Sequence, residues 1–409
     1  MNLFVISNIG QLYQAQALIR KEHLDDNVMV ILYTKLNTTI LDYLVGSVDS
    51  SLFTNVEPLL LPNNPNKFTR RKLVRIRNQY EQLFNSYNFE KVFICSFESH
   101  YNFIKDISLE RNIELMLFEE GTATYKFLID HDVEEPNFAQ RFKQALRISK
   151  NDFKKAYKNS FLHDIIRKSF IIQSIKALFK TAKRVAASLF TMKQRNRLKS
   201  SFYPNKIRSV FSTIEEFDEL YVAFPNKAKE IFKAKRYNEL VSDYSLNEET
   251  TNLIEESEAL KNLTTESIVF VNQKYNVPID LHVKVILSFL AERYANEQIF
   301  IKFHPKDTKL MKETFAKGIS RYNLNAEIID LDIEVPFEAI LKVKKPKMVI
   351  GISSTSLIYT EKIIPSTITL SCANYYIQNL VSKKIDKKVI DTLTFHKKIL
   401  ETLSDIEVK

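Results

Sequence analysis

The chain has little glycine, only 5 residues in 409. Glycine loops that cradle phosphates need several glycines at fixed spacing, and neither GxGxxG nor GxxxxGK[ST] occurs. That argues against dinucleotide-dependent dehydrogenases and P-loop nucleotidases. Tryptophan is absent and there are two cysteines. Cys95 and Cys372 both lie in apolar, strand-like contexts, so buried thiols in a reducing compartment are expected. No pair of CxxC units is present to hold a structural zinc. No apolar run approaches the ~18 residues that span a bilayer. Met1–Ile9 is too short, and lacks the basic leader, for a signal peptide; it reads as a first strand. The expected location is cytoplasmic, with peripheral attachment to a membrane.

What is there is an uneven charge. The net charge is +10, yet residues 141–208 hold 19 Lys and Arg against Asp152 and Asp164. That segment is +17 by itself, which leaves −7 on the rest of the chain. Phe and Leu recur among its cations, so an amphipathic helical segment is expected.

Around it, apolar β-branched runs alternate with helical patterns. Strands are expected at Asn2–Ser7, Val28–Tyr33, Val56–Leu61, Lys91–Ser96 and Ile113–Phe118, with helices near 11–23 and 70–87. Phe217–Phe224 reads as the last strand of a first domain, and Lys227–Lys261 as a polar helical stretch. A second set follows: strands Ser267–Asn272, Gln298–Phe303, Ala326–Leu331, Met348–Ile352 and Thr367–Leu370, with helices near 280–295 and 336–342. Near-continuous apolar strands separated by helices imply parallel sheets covered on both faces. The expected domains are 1–240, 241–375 and a helical 376–409 packing back across them.

Three fragments sit just after strands, where an open parallel sheet presents groups to ligands. Glu119-Glu120 precedes Gly121, a residue able to take turn conformations closed to others. One of the two carboxylates suits a general base; a solvated acidic loop is the plainer reading. His304 is held extended by Pro305, and an imidazole there can assist a departing phosphate. Ser353-Ser354 leads into a helix, whose free N–H groups and dipole favour an anion; simple N-capping is the plainer reading. Glu338 opens another helix, as a first-turn acid or as a carboxylate bridging ribose hydroxyls. Among the remaining histidines, His100 follows a strand and is placed on the acceptor side. Asp330-Leu331-Asp332 matches a DxD metal signature, but without further ligands no metal is expected.

Phe118-Glu119-Glu120-Gly121, Phe303-His304-Pro305 and Ile352-Ser353-Ser354, in this order, resemble the D/E-D/E-G, HP and paired-serine motifs of bacterial sialyltransferases. Pro336-Phe337-Glu338 is similar to their ribose-binding glutamate. The resemblance covers about residues 113–357 through motifs. It implies a GT-B fold, two facing Rossmann-like domains with a cleft between them. It also implies inverting, metal-independent transfer from CMP-sialic acid, without a cofactor. The acidic pair would supply the base, His304 would aid phosphate departure with Pro305 beside it, Ser353 and Ser354 would hold the phosphate, and Glu338 the ribose. Asn272 and Gln273 would face the donor, and Ser7-Asn8 the reacting sugar.

Within those families the basic segment favours the capsule polysialyltransferases, because a polysialic acid acceptor carries one carboxylate per sugar. Lys193, Arg195 and Arg197 are the acceptor-binding candidates. A membrane-surface role for the segment, at the inner membrane or in a capsule complex, is compatible with this. A lipooligosaccharide mono-sialyltransferase, a teichoic-acid-type polymerase using another cytidine nucleotide, and a basic membrane scaffold are the alternatives. For the polymerase an Asp would stand before the serine pair, where Gly351-Ile352 is found. No nucleic-acid-binding motif accompanies the charge, so nucleic acid is not an expected partner.

Overall fold

A computed structural model describes residues 1–35, 38–61, 70–96, 101–125, 139, 142–143, 146, 178–182, 185, 217–242, 248–304, 307–331 and 337–409. His100, Pro305, Lys193, Arg195, Arg197 and nearly all of 141–208 lie outside the described residues.

The first domain runs β1 (Asn2–Ile6), α1 (Ile9–Glu22), β2 (Asn27–Thr34), α2 (Thr38–Gly46), β3 (Asn55–Leu61), α3 (Arg70–Ser86), β4 (Lys91–Ile94), α4 (Tyr101–Glu110), β5 (Glu114–Phe118), β6 (Phe217–Val222), α5 (Pro225–Lys229) and β7 (Ala234–Glu239). Its strands pair in parallel in the order β3-β2-β1-β4-β5-β6-β7. Alternate residues of β1 enter different clusters. Leu3 and Val5 pack on one face with Ile76 and Tyr80 of α3; Phe4 and Ile6 pack on the other with Leu12 and Leu18 of α1. Burial on both faces is why these strands read as unbroken apolar runs.

The second domain runs α6 (Glu248–Glu256), β8 (Ile268–Val271), α7 (Ile279–Tyr294), β9 (Ile299–Lys302), α8 (Lys309–Tyr322), β10 (Ala326–Ile329), α9 (Phe337–Lys344), β11 (Met348–Gly351), α10 (Thr355–Ile363), β12 (Ile368–Ser371), α11 (Ala373–Ser382), α12 (Lys387–Leu403) and β13 (Glu407–Val408). The strand order is β10-β9-β8-β11-β12-β13, again parallel. Both sheets therefore contain the 3-2-1-4-5-6 order of the Rossmann fold, the two-domain GT-B type expected from the sequence. The order reverses between β1 and β4 in one sheet and between β8 and β11 in the other, and such reversal points are where ligand crevices form.

One expectation is corrected. β6 is not the last strand of its sheet, and Lys227–Lys261 is not one helical stretch, because β7 interrupts it. β7 is a polar edge strand held by side chains as well as by its ladder. Arg236 pairs with Glu219 of β6, and Asn238 Nδ2 donates to Glu219 Oε2 at 2.8 Å. An edge strand needs no apolar run, so its sequence carries no strand pattern.

The two domains share a core. One cluster runs from Leu3, Val92 and Leu117 of the first sheet to Val269, Val349 and Leu357 of the second domain. A second cluster, with Phe270, Ile301 and Ile350, covers the other face of the second sheet. Leu380 and Leu393 of the C-terminal helices join the second cluster; Ile399, Leu400 and Leu403 join the shared one.

Candidate active site

β5 ends in Glu119-Glu120-Gly121, and the two carboxylates part company. Glu119 is 1% exposed and fully engaged. Its Oε2 accepts from the Tyr125 hydroxyl and the Ala223 N–H, each at 2.5 Å, and its Oε1 accepts from the Tyr359 hydroxyl of α10. Burial pushes its pKa up to about 7, against the pull of these donors. Glu120 is half-buried and accepts from Gln11 Nε2 at 3.0 Å. Gly121 takes φ +103°, and a Cβ there would stand 3.5 Å from Thr355 Cγ2. Thr122 Oγ1 lies 2.9 Å from Thr355 Oγ1. The acidic loop of the first domain thus meets the first turn of α10 in the second.

Ser7-Asn8 follow β1. The Ser7 N–H and hydroxyl both donate to Gln11 Oε1, at 2.6 and 3.1 Å, while Asn8 Oδ1 accepts from the Gln11 N–H at 3.0 Å and caps α1. Gln11, 1% exposed, therefore ties the end of β1 to Glu120. Sequence reasoning did not find it. Its only local signal is its place four residues after Ser7.

In the second domain Ser353 and Ser354 follow β11. Ser354 is the N-cap of α10, its hydroxyl accepting from the Ser356 N–H at 3.3 Å. The Ser353 N–H donates to Gln273 Oε1 at 2.6 Å, and its hydroxyl is hydrogen-bonded to the Tyr275 hydroxyl. Gln273 follows β8, so this bond crosses the reversal point of the second sheet. Tyr275 also lies 3.3 Å from His396 Nδ1. Glu338, in the first turn of α9, accepts from the Ser356 hydroxyl at 2.6 Å. The serine pair, Gln273 and Glu338 thus converge on the start of α10, whose dipole favours an anion. Lys302 lies nearby; burial lowers its pKa while the Glu338 carboxylate opposes that.

His304 follows β9 and is half-buried. Its N–H donates to Asp307 Oδ2 at 2.9 Å, and its carbonyl accepts from the Asp307 N–H at 2.8 Å. Asn272, only 1% exposed, does not present a free amide to a donor sugar: its Nδ2 donates to the same Asp307 oxygen at 2.7 Å, and its Oδ1 meets His282 Nε2 at 2.8 Å. Asp330, of the DxD match, accepts from Lys312 Nζ at 2.5 Å. Among the described residues no three His, Cys, Asp or Glu side chains are grouped as a metal ion would require.

Among solved structures the chain is similar to UDP-GlcNAc 2-epimerase from Neisseria meningitidis bound to UDP-GlcNAc, at 11% identity and TM-score 0.48, over 100% of this chain and 95% of that one. It is similar to UDP-N-acetylglucosamine 2-epimerase from Rickettsia bellii at 10% identity and TM-score 0.47, over 98% and 95%. It is also similar to Arabidopsis thaliana UGT89C1 complexed with UDP at 10% identity and TM-score 0.46, over 99% and 90%. No curated protein matches the sequence. The description of the alpha-2,8-polysialyltransferase (POLYST) family matches residues 2–373, and the chain belongs to that family of glycosyltransferases.

Proposed function

We propose that the chain elongates polysialic acid by inverting transfer from CMP-sialic acid, without a metal. The observation that supports this is the meeting of the Glu119–Thr122 loop with the start of α10. It brings a base-bearing strand end of one domain to an anion-favouring helix start of the other. Glu120 is the general base, because Glu119 is buried and its oxygens are spent inside the protein. Glu120 takes the proton of the acceptor hydroxyl as that oxygen bonds to the anomeric carbon. The bond from that carbon to the phosphate oxygen breaks, and CMP leaves with the electron pair. His304 and the Ser353-Ser354 helix start stabilise the departing phosphate, and Glu338 holds the ribose.

The basic segment at 141–208 is assigned to the growing polyanion, with Lys193, Arg195, Arg197 and His100 on the acceptor side. No helix among the described residues is long and apolar enough to cross a membrane. The basic segment suits peripheral contact with anionic lipid as well. The test is incubation with CMP-sialic acid and a fluorescent oligosialic acid in buffer containing EDTA. A ladder of 2,8-linked products with CMP release is expected. Absence of both, or a single addition to lactose with oligosialic acid ignored, would overturn the reading.

A further inference from the structure

Behind His304 lies a chain of hydrogen bonds that none of the roles above uses. It runs from Tyr376 on α11 to His282 on α7, to Asn272 after β8, and to Asp307 after β9. The Tyr376 hydroxyl is 2.6 Å from His282 Nδ1, and His282 Nε2 is 2.8 Å from Asn272 Oδ1. His282 and Asn272 are each 1% exposed. The direction of every bond follows by elimination. A carboxylate only accepts, so Asn272 must turn its NH2 toward Asp307. Its oxygen then faces His282, whose Nε2 must carry the proton. Burial lowers the His282 pKa to about 4, so the ring is neutral and its Nδ1 is a bare acceptor. The Tyr376 hydroxyl therefore donates to it. Tyr376, His282 and Asn272 thus all point their donors toward the carboxylate that holds the His304 N–H.

We propose that Asp307 is the positioning residue of His304, and that Tyr376, His282 and Asn272 hold it in register. Asp307 grips the backbone of His304 from both sides, N–H to Oδ2 and carbonyl to N–H. Asp307 Oδ1 is buried and has no hydrogen-bond partner among the described residues. One oxygen thus does the work of the side chain. The carboxylate is fixed by elements on both sides of the crevice, so the imidazole's place relative to the leaving phosphate is set by the sheet and not by the loop. This rests on the role given to His304 above.

The test measures kcat and KM for CMP-sialic acid on the full chain, with thermal melts to check folding. Asp307→Ala is expected to lower kcat by ~10-fold or more with little change in KM, as loss of catalytic alignment does. Asp307→Asn is expected to recover most of the turnover, since a single amide oxygen still accepts from both Asn272 and His304. In a His304→Ala background, Asp307→Ala is expected to cost nothing further. Should Asp307→Ala fail to fold, Asn272→Ala cuts the same chain one bond further back and is read the same way. A folded Asp307→Ala with parental kcat, beside a crippled His304→Ala, overturns the positioning role alone. Equal losses for the Ala and Asn substitutions overturn it too, because charge and not placement would be at stake. A fully active His304→Ala removes the reading of His304 and this proposal with it.

Discussion

Two adjacent glutamates illustrate how burial divides labour between like residues. Glu119 and Glu120 are indistinguishable by sequence, yet one is spent on Tyr125, Ala223 and Tyr359 and the other is half-buried beside Gln11. Glu120→Gln is expected to reduce turnover by ~10²-fold or more while leaving donor binding and melting temperature near parental, as loss of a general base does. Steady-state kinetics with a calorimetric titration of CMP would check it. Glu119→Gln should act on stability. Its folded pKa of about 7 lies above the ordinary 4.5, so the protonated form is the one the fold favours. The stabilisation is fully present below pH 4.5 and is lost as pH rises through 7, a change on the order of 3 kcal/mol. Gln mimics the protonated acid, so melting temperatures of parent and Glu119→Gln should converge at acid pH, diverge as pH rises from 4.5 to 7, and stay apart above that. Parallel curves from pH 5 to 8 would refute that account. The Tyr359 partner of Glu119 could not be found from the sequence, since it lies 240 residues away and in the other domain. Asp307 was not singled out either, although an Asp three residues after His304 is ordinary turn chemistry.

At the scale of elements, the buried strands were readable and the edges were not. β1, β2, β8, β9 and β11 lie within a residue or two of their expected limits, because two-sided burial demands uninterrupted apolar residues. β7 and the two-residue β13 had no such pattern, since both lie at a sheet edge, and β7 leans on Glu219 of its neighbour. α8 was not expected either, although Thr308 caps its start and Asn323, at φ 51°, closes its end. The acidic loop depends on one backbone position. Gly121→Ala adds a Cβ that fits in space, but φ +103° is strained for any side chain. A loss of roughly 1–3 kcal/mol in chemical denaturation is expected. The activity lost should exceed what that instability explains, because the same turn aims Glu120.

For the whole molecule, two repeated strand orders put both crevices at the carboxyl ends of their sheets, and that much followed from the alternation of strands and helices. The proposed hold on the acceptor rests on residues 141–208, whose charge is legible in composition alone. Charge reversal at Lys193, Arg195 and Arg197 is expected to shorten products while sparing addition to a short acceptor. Added salt should do the same to the parent enzyme, as screening weakens the hold on a polyanion. Gel ladders at stepped ionic strength would show either outcome.

The core that runs without a break from Leu3 to Val349 has a calorimetric meaning. Domains joined by thin polar contacts melt one at a time; these two each have an outer core of their own, but the cluster between the sheets belongs to both. Heating should give one transition, with the van't Hoff enthalpy equal to the measured one, and a ligand that grips only the second domain should raise the melting point of both.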